Sequence, residues 1–367
     1  MKPRGRVFGM GVLAAVLATS CAPNRGDGYV RALAAGERAE TAGRFLEASA
    51  RYEAAAEGAK LPRDRDHARY LAALMLAHGG NLREATARLD AIGNATPATP
   101  DSARAAYKAA DLRLSHGDEE AGFRGLDDLM RRFPSSGVAR PALHRLVRHK
   151  DETESKEASI AYLRAMTPSL GPSELGEDIA YQIALRMAEL GQDQAARDAF
   201  VTISTQWPYP RGALFDDALY RASELDEKLG RYAEAIADLE RMLDEREIAH
   251  LSGSYERPRF PASMMRIAVL YRDRVKDREK AREAFHRLYT DFKSSTLRDD
   301  ALWREAEMWR EDGDTGTACD RLGTLARDFP DSRYVPCAAV HCPRVTRPEK
   351  SKAPSSCHAY LERLRPD

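Results

Sequence analysis

The stretch Asp299–Ser332, D-D-A-L-W-R-E-A-E-M-W-R-E-D-G-D-T-G-T-A-C-D-R-L-G-T-L-A-R-D-F-P-D-S, decides the fold. It predicts a helical hairpin. A first amphipathic run ends at Gly313, a second begins just after it, and Pro330 stops the second by removing a backbone donor. The hairpin recurs upstream at Asp216–Gly230, D-D-A-L-Y-R-A-S-E-L-D-E-K-L-G, with the D-D-A-L, the Arg, a Glu and the closing Gly at the same offsets. Self-similarity at a fixed period governs the architecture of a whole chain.

With the turn residue as anchor, the unit is found at Gly43, Gly80, Gly117, Asp151, Gly191, Gly230, Lys276 and Gly313, at intervals of 37, 37, 34, 40, 39, 46 and 37 residues. Asp151 and Lys276 are the degenerate anchors. Elsewhere Gly supplies the left-handed backbone conformation that ends a helix cheaply. Five residues after the anchor stands a small side chain, as in Ala48, Ala85 and Ala318, and seven before it another, as in Ala73, Ala184 and Ala306. Small residues on facing helices let them approach closely. Larger apolar groups follow at nine and twelve, as in Phe200/Ile203 and Leu322/Leu325, on the same helix face as the residue at five. Pro97, Pro134, Pro168, Pro208 and Pro330 stand seventeen after the anchor and are expected to end the second helix. No unit buries its apolar face alone, so stacked neighbours supply the core.

This pattern resembles the tetratricopeptide repeat over about Arg31–Val345. The resemblance implies an all-α fold, a right-handed superhelical solenoid of about eight helical hairpins. The phrases F-P-S-S (Phe133–Ser136), F-P-D-S (Phe329–Ser332) and F-K-S-S (Phe292–Ser295) look like the hairpin ends of periplasmic tetratricopeptide lipoproteins, such as the Bam-complex outer-membrane assembly lipoprotein and the Tol-Pal cell-division coordinator.

The chain is long enough for a sizeable core, with 367 residues, 43% apolar and 31% charged. Lys plus Arg equals Asp plus Glu at 57 each, and no basic stripe is evident, which argues against a nucleic-acid partner. Residues 1–20 read as a signal peptide: Lys2, Arg4 and Arg6 precede a 12-residue apolar stretch, Val7–Ala18, too short to span a bilayer. L-A-T-S-C, Leu17–Cys21, resembles a bacterial lipobox, which implies a lipidated Cys21 and, with Ala22 following, sorting to the periplasmic face of the outer membrane. The other reading is an ordinary secreted protein cut near Cys21. Residues 21–30 form the lipidated Cys and tether, 31–345 the solenoid, and 346–367 a Cys-stapled C-terminal cap. The charge-dense stretch from His144 to Glu157 is a solvated helix or a hinge, and Glu245–Pro261 is an inserted loop.

Apart from Cys21, the cysteines are Cys319, Cys337, Cys342 and Cys357, all near the C-terminus. An exported chain meets an oxidising compartment, so two disulfides are expected, and the repeat spacing favours 319–337 and 342–357. A metal site at C-A-A-V-H-C (Cys337, His341, Cys342) with Cys357 and His358 is the competing reading, but no short paired C-x-x-C knuckle supports it.

No catalytic motif is present: no H-E-x-x-H, no G-x-S-x-G elbow and no P-loop, and no cofactor is expected. The pairs Asp216/Asp217 and Asp299/Asp300 sit at helix starts, where they favour the positive end of the helix dipole. The expectation is a non-catalytic, membrane-anchored scaffold that binds protein or peptide segments in cell-envelope assembly. The alternatives are an enzyme or regulatory subunit acting on peptidoglycan, and a pilotin-like lipoprotein for a pilus or secretion pore. Ten residues before the anchor stand Tyr70, Tyr107, Tyr181, Tyr220 and Trp303. Either they line a concave peptide groove, or they pack one repeat on the next. With the nearby acids Asp217, Glu224, Asp300 and Glu307, the groove reading favours a basic or amide-rich ligand.

Overall fold

The computed structural model describes residues 25–245, 259–346, 354 and 356–363. The signal segment, Cys21 and most of the inserted loop lie outside these residues. Among the described residues every regular element is helical, and none is long and apolar enough to cross a membrane. The chain divides into two compact units between Val138 and Ala139.

The first unit is built of three hairpins: α1 (Asp27–Thr41) with α2 (Phe45–Gly58), α3 (Pro62–His78) with α4 (Leu82–Gly93), and α5 (Ser102–Ser115) with α6 (Glu119–Arg132). The second unit has five: α7 (Ala139–Thr153) with α8 (Lys156–Leu170), α9 (Gly176–Glu189) with α10 (Asp193–Gln206), α11 (Phe215–Lys228) with α12 (Tyr232–Asp244), α13 (Arg259–Leu270) with α14 (Arg278–Asp291), and α15 (Arg298–Glu311) with α16 (Thr315–Asp328). Two seven-residue helices follow, α17 (Val335–His341) and α18 (Cys357–Arg363).

The turns follow from the anchors. Gly43, Gly80, Gly117, Gly191, Gly230 and Gly313 all have positive φ, and the residue after each turn reaches back into the helix it leaves. Asn81 N–H donates to Leu76 C=O at 2.9 Å, and Asp314 N–H to Trp309 C=O at 3.0 Å. This is the Schellman closure, which satisfies carbonyls the helix end would orphan. Asp118, Asp277 and Asp314 then cap the next helix by accepting the backbone N–H three residues on.

Burial follows the offsets. The residues at five, nine and twelve after each glycine are buried except Ile92, which is partly covered. Seven before Gly43 stands Gly36, where a Cβ would lie 2.5 Å from the Tyr52 ring, so the first hairpin closes only because that side chain is absent.

Two expectations need correction, and another unit departs from the common offsets. The turn assigned to Asp151 lies later, because α7 runs through Asp151 to Thr153 and Ser155 caps α8 by accepting from Ala158 N–H at 3.1 Å. Glu154 is the structural anchor, 37 residues from both Gly117 and Gly191, and the buried Val147, Ser159, Leu163 and Met166 fall at its expected offsets. Pro168 accordingly lies inside α8, which continues to Leu170 instead of ending there. Lys276 adopts φ 64° without being Gly, and a π-turn, Tyr271–Val275, precedes it. That turn inserts one residue, so the buried small side chain is Ala268, eight before the anchor, and not Val269.

Candidate functional site

The acids at the helix starts do more than complement dipoles. Asp299 accepts from Ser332 Oγ at 2.6 Å and Asp300 from Arg333 at 2.8 Å, both partners lying in the link that leads into α17. Glu177 does the same three hairpins earlier, accepting from the backbone N–H groups of Ala213 (3.0 Å) and Leu214 (2.8 Å) at the start of α11. Carboxylates therefore join each of these hairpins to its successor.

The five aromatics take distinct places. Tyr70 is buried, with the Arg104 guanidinium 5.0 Å above its ring. Tyr107 lies half-buried on α5. Tyr181 is buried and meets Phe200 edge-on at 5.4 Å, and Arg221 of α11 interacts with its hydroxyl. Tyr220 is half-buried beneath Arg259 (4.7 Å) and Arg266 (5.4 Å). Trp303 is buried and stacked on Tyr334, centroids 5.1 Å apart and planes at 13°. Four of the five rings are thus faced by a side chain of the following hairpin or helix, and in this structure they pack one repeat on the next. The acids are matched in the same way: Asp217 pairs with Arg259, Glu224 with Arg221 and Arg266, and Asp300 with Arg333. Three of the four acids expected to attract a basic ligand already carry an arginine.

Glu307 is the exception, and it marks the site. A cleft of about 480 Å³ opens where α15 meets α17 and α18. Trp303 and Tyr334 form its floor; Arg304, Glu307 and Arg310 of α15, Arg333, His341 of α17 and Cys357, His358 and Leu361 of α18 form its walls. The cleft exists because α17 stops after seven residues, whereas the first helices of the earlier hairpins run 12 to 17 residues. Over Tyr220, Arg266 reaches both Glu224 and Glu227. Over Trp303 the corresponding place belongs to His341, its ring 6.0 Å from the indole.

Cations outnumber the acids here. Burial, with the neighbouring Glu311, holds the Glu307 carboxyl above its ordinary range against the pull of Arg310 and Arg304. Burial, reinforced by Arg310, holds the His341 imidazole below its ordinary value. The Tyr334 hydroxyl is pushed up to about 12, by burial and then by its hydrogen bond to Asp300. Sequence reasoning named Trp303 and Glu307 but missed Arg304, Arg310 and Tyr334, and named His341 only as a candidate metal ligand. The signal was available: Arg310 aligns with Glu227 in the repeated hairpin, a reversal of charge inside a matched stretch.

One disulfide closes the C-terminal end. It joins Cys319 on α16 to Cys342 just after α17, Cα atoms 5.1 Å apart, in place of the expected Cys319–Cys337 and Cys342–Cys357. Cys337 and Cys342 are five residues apart, roughly 140° around a helix, so they face different neighbours. Cys337 points into the core with Leu302 and Trp303, leaving Cys342 to meet Cys319. A sulfur so bonded is no thiolate ligand, and among the described residues no cluster of metal-ligating side chains occurs.

Comparison with known proteins agrees with the hairpin reading. The tetratricopeptide repeat family matches residues 217–246 and 300–332, the two segments that carry the D-D-A-L hairpins. Comparison with curated proteins gives no match. Among solved structures the chain is similar to MamA from Desulfovibrio magneticus, at 18% identity, covering 53% of this chain and 97% of that one, with a TM-score of 0.35. It is similar also to the C-terminal part of a TPR repeat-containing protein from Cytophaga hutchinsonii, at 11% identity over 73% and 98% of the two chains, TM-score 0.43. A tetratricopeptide repeat protein from Parabacteroides merdae matches at 14% identity over 72% and 93%, TM-score 0.34. Two segments of this chain of helical hairpins thus match the tetratricopeptide repeat.

Proposed function

We propose that this chain is a non-catalytic scaffold that holds an acidic peptide segment of a partner protein in the cleft over Trp303. The observation that carries this is the exchange of Glu227 for Arg310 between the two matched hairpins. Around Tyr220, Arg221 and Arg266 face Glu224 and Glu227 and the charges cancel. Around Trp303 the lining of the cleft holds Arg304, Arg310 and Arg333 with Glu307 as its one acid, and His341 and His358 beside them. A carboxylate entering there restores the balance, and guanidinium–carboxylate pairing supplies directional hydrogen bonds. The stacked Trp303 and Tyr334 offer apolar area beneath it.

The wider setting we propose is the cell envelope, with the chain held at the periplasmic face of the outer membrane through lipid on Cys21. The basic–apolar–small leader and L-A-T-S-C support it. The partner then belongs to an envelope-assembly machine.

One experiment tests the cleft. The purified full-length protein is titrated with a fluorescent peptide carrying Glu side chains and with its Gln counterpart. Preference for the acidic peptide by about tenfold, worth ~1.4 kcal/mol, is expected; equal binding, or preference for a Lys counterpart, overturns the reading. Fatty-acid probe labelling of the wild type but not of Cys21→Ser tests the anchor, and an unlabelled wild type rejects it.

A further inference from the structure

We infer that Cys337 and Cys357 form a second disulfide that latches α18 in place as a wall of the cleft. That the latch tunes peptide binding rests on the proposed cleft function; the bridge itself does not. Cys337 is fully buried among Leu302, Trp303, Tyr334 and Ala338. Cys357, the first residue of α18, is half-buried and packs on that same cluster, near enough for its thiol to interact with that of Cys337. Two thiols brought to one cluster in this way need little backbone movement to bridge, provided their Cβ vectors suit the bond.

The pair is also chemically ordered. Cys357 is the accessible sulfur, so its thiolate attacks a disulfide-form oxidant, either a small-molecule disulfide or the disulfide of a thiol oxidase. One thiolate leaves and a mixed disulfide forms. The Cys337 thiolate then attacks Cys357 Sγ and expels the second thiolate. Two protons and two electrons leave the pair, and the oxidant is reduced to two thiols. Burial, and then the interaction with Cys357, raises the Cys337 thiol above its ordinary value, which suits a resolving sulfur that reacts only after Cys357 is engaged.

α18 is seven residues long, and its Cys357, Tyr360 and Leu361 pack on the core cluster. Cys357, His358 and Leu361 line the cleft, so fixing α18 preorganises one wall, and preorganisation improves affinity without any new contact.

The test uses the full-length protein equilibrated with oxidised glutathione, blocked with an alkylating reagent and digested without reduction. Linked peptides 319–342 and 337–357 are expected. Alkylation of both Cys337 and Cys357 after oxidation, or a 319–337 link, overturns the proposal. Hydrogen exchange supplies a readout independent of any ligand. The α18 amides should be protected at least tenfold more in oxidised wild type than in Cys357→Ser, while α16 and the 319–342 bridge stay unchanged. Equal exchange with the bridge present overturns the latch. The acidic peptide should bind several-fold more weakly to Cys357→Ser than to oxidised wild type. If neither protein binds it, the cleft reading fails, while the mapping and exchange data still decide the bridge.

Discussion

The hairpins at Asp216–Gly230 and Asp299–Gly313 begin with the same four residues and end in the same turn, yet the second opens onto a cleft where the first is covered by arginines. The difference lies in the next repeat. After α12 the chain supplies a long first helix whose Arg259 and Arg266 cover Tyr220 and pair with Asp217, Glu224 and Glu227. After α16 it supplies α17, which ends at His341; Tyr334 and His341 stand over Trp303, and the far end of α15 is left to Glu307 and Arg310. A repeat protein makes a site here by cutting the next repeat short, without altering the repeat that carries the floor.

The sharpest way to break the comparison is to remove each ring. Trp303→Ala takes out a buried indole stacked on Tyr334 and should cost about 3–5 kcal/mol in unfolding free energy. Tyr220→Ala removes a half-buried ring capped by arginine side chains and should cost about half as much. Urea denaturation of the two variants decides; equal losses would show that the two positions are packed alike and the contrast is false.

Exchanging the charges comes next. Arg310→Glu should weaken acidic-peptide binding at least tenfold, about 1.4 kcal/mol or more, with the melting temperature nearly unchanged because Arg310 is exposed. Glu227→Arg should leave peptide binding untouched, since Arg266 already occupies that surface. Titration of both variants separates a local cleft from general attraction by surface charge, which would move both.

The hairpins themselves were legible because their signals are local. A Gly that must adopt positive φ, a small residue where helices touch and an apolar stripe are each written in a few neighbouring positions. What stayed hidden depended on neighbours far away in the chain. That Asp217 and Asp300 are neutralised, that Cys319 meets Cys342, and that Arg310 faces a cleft all depend on the length and direction of the following helix. Asp151 misled for another reason. Its turn carries no Gly, and the informative residue was the cap Ser155, four positions on.

The two kinds of turn sharpen the comparison at a smaller scale. Gly230→Ala forces a side chain into φ 76° and should cost about 1 kcal/mol. Lys276→Gly relieves a left-handed Lys and should stabilise by a similar amount, about 1 kcal/mol. Thermal melts of the pair should therefore shift in opposite directions. A destabilised Lys276→Gly would mean that the π-turn before it holds the conformation without strain.

The smallest effect expected is the pH dependence of peptide binding, and its sign follows from the cleft. Glu307 is held above its ordinary pKa, chiefly by burial, with Glu311 adding to it and Arg310 and Arg304 subtracting. His341 is held below its ordinary pKa by burial and Arg310. Arg333 and His358 complete the charged surroundings. An incoming carboxylate disfavours a charged Glu307 and favours a charged His341, so binding raises both pKa values and takes up protons. Linkage then requires affinity to rise as pH falls from 8 towards 6, by about threefold or ~0.7 kcal/mol. The rise should continue until the peptide's own carboxylates begin to protonate near pH 4–5. Double replacement by Glu307→Gln and His341→Gln should flatten the profile, and Glu307→Gln alone should tighten binding at pH 8. Around Tyr220, where each Glu is paired with an arginine, no such uptake is expected. Calorimetry of the acidic peptide in buffers of different ionisation enthalpy reads the proton count directly; release of protons on binding would place the peptide somewhere other than the Trp303 cleft.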